Sequence, residues 1–267
     1  GTLLAADAET VHHPTGTTWN RQGALVSFRA GLEALLAAGD VTLANEPLAT
    51  LGDALALSRT SWSASGASGE SFDVGAFEHE QITLIELDAR GQGRREEFFA
   101  ADHLGAAIAR LYELYADLLP DGPARARAAA TARSVAAALG PVDLDRYAAA
   151  YAPAVQFIDR RPLGFPSTSG AEAWLCRVAT LLESSDDATV RTDDVLGLRS
   201  DALLVHLTNL GTDRASGGVY ERPFFMLWVF GADGLVTRNE MFATNRDDEA
   251  LARFDELAAG RAARIAP

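Results

Sequence analysis

The chain repeats itself. Val74-Gly75-Ala76-Phe77-Glu78 resembles Gly217-Gly218-Val219-Tyr220-Glu221, and aligning Phe77 with Tyr220 sets an offset of 143 residues. The same offset pairs Gly91 with Gly234, Glu97 with Glu240, Phe99-Ala100 with Phe242-Ala243, and Glu113-Leu114 with Glu256-Leu257. Upstream the offset drifts to 147 or 148. There Val11-His12-His13-Pro14-Thr15-Gly16 faces Ile158 and Arg160-Arg161-Pro162-Leu163-Gly164, and Leu51-Gly52-Asp53-Ala54-Leu55 faces Leu198 to Leu203. Changes in loop length produce such a drift. A period near 145 is too long for a solenoid, whose units run about 20–50 residues. It is the size of a whole small domain. The 267 residues are therefore expected to hold two domains, 1–121 and 122–267, parted at the turn cluster Leu119-Pro120-Asp121-Gly122-Pro123.

The second repeat spells out its elements. An Ala-rich helix over 123–139 stops at Gly140-Pro141. Asp143 caps a short helix over 143–151. A strand at 155–159 alternates apolar and polar residues. A helix over 170–184 follows, then strands at 189–194, 202–209, 221–230 and 235–242. Asp233-Gly234 marks the last hairpin, and a helix over 246–263 ends the chain. Helices followed by a run of antiparallel strands make an α+β pattern. The first repeat matches from its first strand onward, and its opening helices have no counterpart. It is read as lacking an N-terminal helical hairpin. That predicts an exposed sheet and an unfilled helix groove, met by a missing segment, a swapped partner or a shifted helix.

Composition narrows the function classes. Hydrophobic residues are 48% of the chain, enough for a core, and no apolar run is long enough for a membrane helix. The formal charge is −14, and every base is Arg. An acidic chain without a basic stripe is a poor binder of nucleic acid or anionic membrane. The absence of Lys fits a GC-rich coding sequence. The single cysteine, Cys176, excludes an internal disulfide and any site of several thiolates. Its apolar helical context reads as a small buried hydrophobe. The start carries no basic leader and no Met, which reads as a processed, tagged or excised chain of cytoplasmic origin. No phosphate-cradling loop, nucleophile elbow or Cys/His pair occurs. Gly66-Ala67-Ser68-Gly69 reads as a hairpin connection.

The element order resembles the nuclear transport factor 2-like superfold, which includes ketosteroid isomerase, limonene epoxide hydrolase, scytalone dehydratase and SnoaL-like polyketide cyclases. Ala6 to Gly16 resembles the isomerase stretch Ala-Thr-Val-Glu-Asp-Pro-Val-Gly, and Phe230 to Val236 resembles that family's late hairpin. The resemblance implies two cone-shaped α+β barrels, each a curved, mostly antiparallel sheet wrapped around helices, forming an intramolecular pseudo-dimer. A low-dielectric cone moves carboxyl and imidazole groups toward neutrality. The resemblance puts His13 in the place of the isomerase base in repeat one and Arg161 in repeat two. The family's oxyanion Tyr falls near Ser134, and its acid partner near Met226 and Thr83. Histidine can act as a base near neutral pH and arginine cannot, so the isomerase reaction is disfavoured. Glu97 and Glu240 take the last-strand place of the epoxide hydrolase acid, without a full Arg-x-Asp partner set.

These residues carry competing readings. Glu97 and Glu240 are either proton-handling groups or solvated edge-strand carboxylates. His12 and His13 are either site residues or a polar pair beside a loop. His79 points away from Glu78 and Glu80 on a strand, and His-x-His and His-Glu-x-x-His spacings are absent, so no metal is expected. His206, aligned with Ser58, reads first as a satisfied strand histidine. Asp159, Arg160 and Arg161 are expected near Glu240 as an ion-pair network. Trp19 is placed at a pocket mouth, and Trp62, Trp174, Trp228, Phe224 and Phe225 on sheet faces or pocket walls. The expected function is a pocket for a small apolar or aromatic molecule, with acid–base chemistry of the isomerase, cyclase, dehydratase or hydrolase type and no cofactor. His13, Glu97 and Arg59 would be catalytic, with Trp19, Trp62, Asp159, Arg161, His206 and Glu240 binding ligand. The alternative is a non-catalytic ligand-sensing or assembly module excised from a larger bacterial signalling protein. A homo-oligomer is compatible with either.

Overall fold

A computed structural model describes residues 4–37, 40–69 and 72–265. The chain divides into two compact units, Gly1–Ala107 and Ile108–Pro267.

The first unit opens with β1 (Leu4–His12), a 3-10 turn (His13–Thr15), β2 (Thr17–Asn20) and α1 (Arg21–Ala37). It continues with β3 (Thr42–Leu51), β4 (Leu55–Ala64), the short β5 (Ala67–Gly69) and β6 (Phe72–Val74), β7 (Phe77–Leu87) and β8 (Gly93–Ala100). Its six-stranded sheet runs β2-β1-β8-β7-β4-β3, antiparallel except for the parallel pair β1–β8. Gly16 closes the β1–β2 turn at φ +65°, where a side chain would be strained. The helix α2 (Leu104–Leu118) contains the division between the units.

The second unit adds α3 (Pro123–Leu139) and α4 (Leu144–Ala150) before its sheet. Pro123 opens α3, where its missing N–H costs nothing. Asp143 caps α4 by accepting the Arg146 N–H at 2.8 Å. There follow β9 (Tyr151–Asp159), β10 (Thr168–Ser169), α5 (Ala171–Ser184), β11 (Thr189–Arg199), β12 (Ala202–Thr212), β13 (Val219–Phe230), β14 (Val236–Phe242) and α6 (Asp247–Ile265). The sheet order, β10-β9-β14-β13-β12-β11, repeats that of the first unit strand for strand. These spans follow the elements the sequence predicts, with β9, β11, β12 and β13 running longer, β14 beginning one residue later and β10 added.

Each sheet has two unlike faces, because side chains alternate along a strand. In the second unit one face packs against α6: Ala202, Leu204, Phe225, Leu227 and Phe242 meet Ala250 and Phe254. On the other face Phe157 stacks on Trp174 of α5, ring centroids 4.7 Å apart. There the Ser134 hydroxyl of α3 donates to the Gly234 carbonyl at 2.9 Å. Gly234, at φ +80°, has no room for a side chain: a Cβ would lie 2.6 Å from the Thr131 nitrogen. In the first unit Leu55, Leu57, Ile82, Leu84 and Phe99 are buried on the matching face. α1 leaves Leu25, Val26, Phe28, Leu32 and Leu36 exposed. Cys176 is also exposed, against expectation; the buried position of that helix is Val178.

Candidate functional site

The two last-strand glutamates are not solvated edge residues. β8 lies between β1 and β7, and β14 between β9 and β13. Glu97 is 1% exposed and Glu240 0%. A buried carboxylate needs compensating partners, and both have them.

In the first unit His13 Nε2 lies 2.7 Å from Glu97 Oε2. The imidazole stacks on Phe99, ring centroids 4.1 Å apart, and its side chain keeps 40% of its surface in solvent. Its other nitrogen, Nδ1, has no hydrogen bond among the described residues. Arg95 donates to Glu97 at 3.3 Å and bonds Glu9 at 2.7 Å. Arg95 and Glu97 are two apart on one strand and so share a face; that spacing was the available signal for Arg95, and the sequence reading missed it.

The second unit repeats this cluster with one decisive change. Register pairs Val11 with Glu97 and Ile158 with Glu240, which puts Arg160, not Arg161, in the place of His13. Arg160 Nε donates to Glu240 at 2.5 Å, and its guanidinium lies over Phe242, the counterpart of Phe99. Arg238, the counterpart of Arg95, donates to Glu240 and to Gln156. Arg253 of α6 adds a third bond at 3.1 Å. Burial pushes the Glu240 carboxyl up, but hydrogen bonds and charge from Arg238 and Arg160 outweigh it and hold it below the ordinary range. Arg161 instead pairs with Asp159 at 2.7 Å. Burial opposes ionisation of Asp159, yet bonds from Arg161 and the Phe165 N–H keep its carboxyl low. Of the three residues expected around Glu240, Arg160 bonds it, while Asp159 and Arg161 pair with each other and register sets Asp159 opposite Met241, on the other face of the sheet.

The remaining candidates meet other neighbours. Arg59 pairs with Glu46 at 2.7 Å and Glu80 at 3.6 Å, at the far end of a cross-sheet row through Ile82 and Phe99. His206 matches Arg59 rather than Ser58, because register pairs Leu57 with Leu84 and Leu204 with Leu227. Its Nδ1 is 3.9 Å from Asp193, and its buried Nε2 has no partner, so the histidine is only partly satisfied. Trp19 and Trp62 lie on the face opposite Glu97. Trp19 sits beside His12, ring centroids 6.1 Å apart, and Trp62 lies tilted against His79 at 4.3 Å.

No protein-family model matches the chain, and no curated protein matches it. Among solved structures, it is similar to an NTF2-like protein of unknown function from Exiguobacterium sp. 255-15, with 14% identity and TM-score 0.32 over 38% of this chain and 85% of that one. It is also similar to a hypothetical protein with a ketosteroid isomerase-like fold from Catenulispora acidiphila DSM 44928, in complex with trimethylamine, with 13% identity and TM-score 0.35 over 42% and 83%. A third is a putative SnoaL-like polyketide cyclase from Mesorhizobium loti, with 17% identity and TM-score 0.29 over 36% and 80%. Both units carry the same six-strand order, so one α+β fold occurs in duplicate. Among the described residues, no helix is long and apolar enough to cross a membrane.

Proposed function

We propose that the first unit is a small-molecule site working by cofactor-free acid–base chemistry, with His13 as the proton carrier and Glu97 as the carboxylate that orients it. The observation that carries this is the 2.7 Å His13–Glu97 contact set beside its duplicate, where Arg160 fills the same place. Arginine stays protonated, so the second cluster can hold charge but cannot exchange a proton. An imidazole whose one nitrogen is fixed by a buried carboxylate presents the other to a reacting group, the arrangement general acid–base catalysis requires. The reaction class is isomerisation, cyclisation, dehydration or addition of water on a small apolar or aromatic molecule. Arg59 is outside direct reach of His13 and enters only as a distant charge on the same face.

The test is a hydrolase and isomerase substrate screen on wild type, His13→Ala and Glu97→Gln. Loss of about 10²-fold or more in turnover for His13→Ala is expected, with a smaller loss for Glu97→Gln. Activity unchanged in both variants refutes the assignment. The exposed apolar side chains of α1 favour a second reading, a non-catalytic assembly module. That reading predicts no turnover and an association that weakens when Val26 and Phe28 become Ser.

A further inference from the structure

The two copies differ most on the sheet face turned away from the glutamate clusters. In the second unit this face is apolar and closed. Val205, Leu207, Phe224, Met226 and Phe157 are no more than 3% exposed. Register assigns each a counterpart in the first unit. Val205 becomes Ser58, Leu207 becomes Thr60, Phe224 becomes Gln81, Met226 becomes Thr83 and Phe157 becomes Thr10. Every one of these substitutions replaces an apolar core residue with a hydrogen-bonding one.

Ser58, Thr60 and Gln81 are half-buried, as partial exposure to solvent would allow, but two hydroxyls of this face are closed off from water. Thr10 is 6% exposed and Thr83 5%. The nearest hydroxyl and amide partners of Thr83, on Thr60 and Gln81, are at 3.5 Å, the limit of a hydrogen bond. Thr60 has a better partner, donating to Asn45 Oδ1 at 3.1 Å. A hydroxyl removed from water without a good partner costs stability, so of these polar groups Thr83 is retained against a demonstrated apolar alternative, Met226. Among them, level with Thr10, is Glu96, which has no hydrogen bond or ion pair among the described residues. Its counterpart is Asn239. Burial pushes the Glu96 carboxyl up. Burial and the neighbouring His79 and His13 push the His12 imidazole down. Both changes favour the neutral form. Trp62, tilted against His79, closes the end of the row beyond Thr60.

We infer that this face of the first sheet binds an uncharged, hydroxylated ring compound of the sugar or cyclic-polyol class, with Glu96 and the Ser58–Thr60–Thr83 hydroxyls as its hydrogen-bonding groups. Hydroxyls and a carboxyl group on one wall match a ligand whose ring edge is all donors and acceptors. The site is separate from His13 and Glu97, and neither proposal depends on the other.

The test titrates the full chain with methyl β-D-glucopyranoside and myo-inositol, followed by saturation-transfer NMR and calorimetry. Glucuronate and glucosamine serve as charged comparisons. The key variant carries Ser58→Val, Thr60→Leu and Thr83→Met, the residues the second unit already folds with. Thermal unfolding checks that it is folded. At least one neutral probe should bind wild type, more tightly than its charged counterparts. Binding should weaken by about tenfold or more in the triple variant and severalfold in Glu96→Gln. Glu96→Gln alone decides the matter should the triple variant not fold. No neutral probe bound below about 10 mM overturns the inference. So does binding that survives these substitutions, or charged probes bound equally well.

Discussion

Glu240→Gln isolates what a buried charge cluster contributes. The substitution keeps the side-chain volume and deletes the charge, leaving Arg160, Arg238 and Arg253 around a neutral amide. Breaking a fully buried charge set from one side costs about 3–5 kcal/mol. Glu240 is fully buried, but the three arginine side chains keep 17–31% of their surface, so water screens part of the leftover repulsion. A loss of about 2–3 kcal/mol follows. At about 2–4 °C per kcal/mol for a unit of this size, the second unit's midpoint should fall by roughly 4–12 °C. The pH dependence gives an independent check. The Glu240 carboxyl is held below its ordinary range. A depressed folded-state value stabilises fully above the unfolded value, about 4.3, and the contribution disappears as pH falls through the folded one. Thermal unfolding of wild type and variant by circular dichroism should therefore show a constant gap from about pH 8 to 5.5, closing below about pH 4. A midpoint within about 1 °C of wild type at pH 7 would refute the reasoning, as would a gap unchanged in acid.

Three further substitutions test the packing. Gly197 has ordinary backbone angles, but a Cβ there would lie 2.9 Å from the Phe254 ring. Gly197→Ala should cost about 1–3 kcal/mol by overpacking, and Phe254→Leu should recover part of it in a double-mutant cycle by chemical denaturation. The Tyr112 hydroxyl donates to the Arg199 carbonyl at 2.6 Å and reaches that of Ala202 at 3.2 Å; Tyr112→Phe should cost about 1–2 kcal/mol, read from the urea midpoint. Asp143→Ala removes the cap of α4 and should cost about 1 kcal/mol, with faster amide exchange at Arg146.

The fold was legible because its signals are local. Gly140-Pro141, the Asp143 cap and Asp233-Gly234 each mark a boundary by backbone chemistry, and the repeat supplies the rest. The site was legible only where residues lie close in register. His13 and Glu97 could be paired because the family resemblance gave each a place, His13 that of the base and Glu97 that of the last-strand acid. Their burial could not, because alternation reports which residues share a face and says nothing of whether a strand is central. The one-residue errors at Arg161 and Ser58 have the same origin. An offset that drifts between 147 and 148 cannot be fixed without the ladder, and a one-residue slip moves a side chain to the opposite face. Glu96 was missed for that reason: Glu96 and Glu97 are adjacent in sequence and on opposite sides of the sheet.

The duplication also supplies an internal control for function. Where both copies keep a feature, the fold alone suffices to explain it. The last-strand glutamate, the arginine two residues before it and the aromatic ring two residues after it fall in this class, since Arg95-Glu97-Phe99 and Arg238-Glu240-Phe242 do the same work in both units. Where one copy departs at a matched position, stability gives no reason, because the other copy shows a residue that folds there. His13 opposite Arg160 is one such departure, and it puts an imidazole, which can exchange a proton, where the other cluster holds a fixed positive charge. The hydroxyl row opposite an apolar core is the other, and it gives up burial that the second unit retains. Both departures fall in the first unit, on opposite faces of one sheet. The first unit is thus where chemistry and recognition should be sought, with the second as its matched comparison.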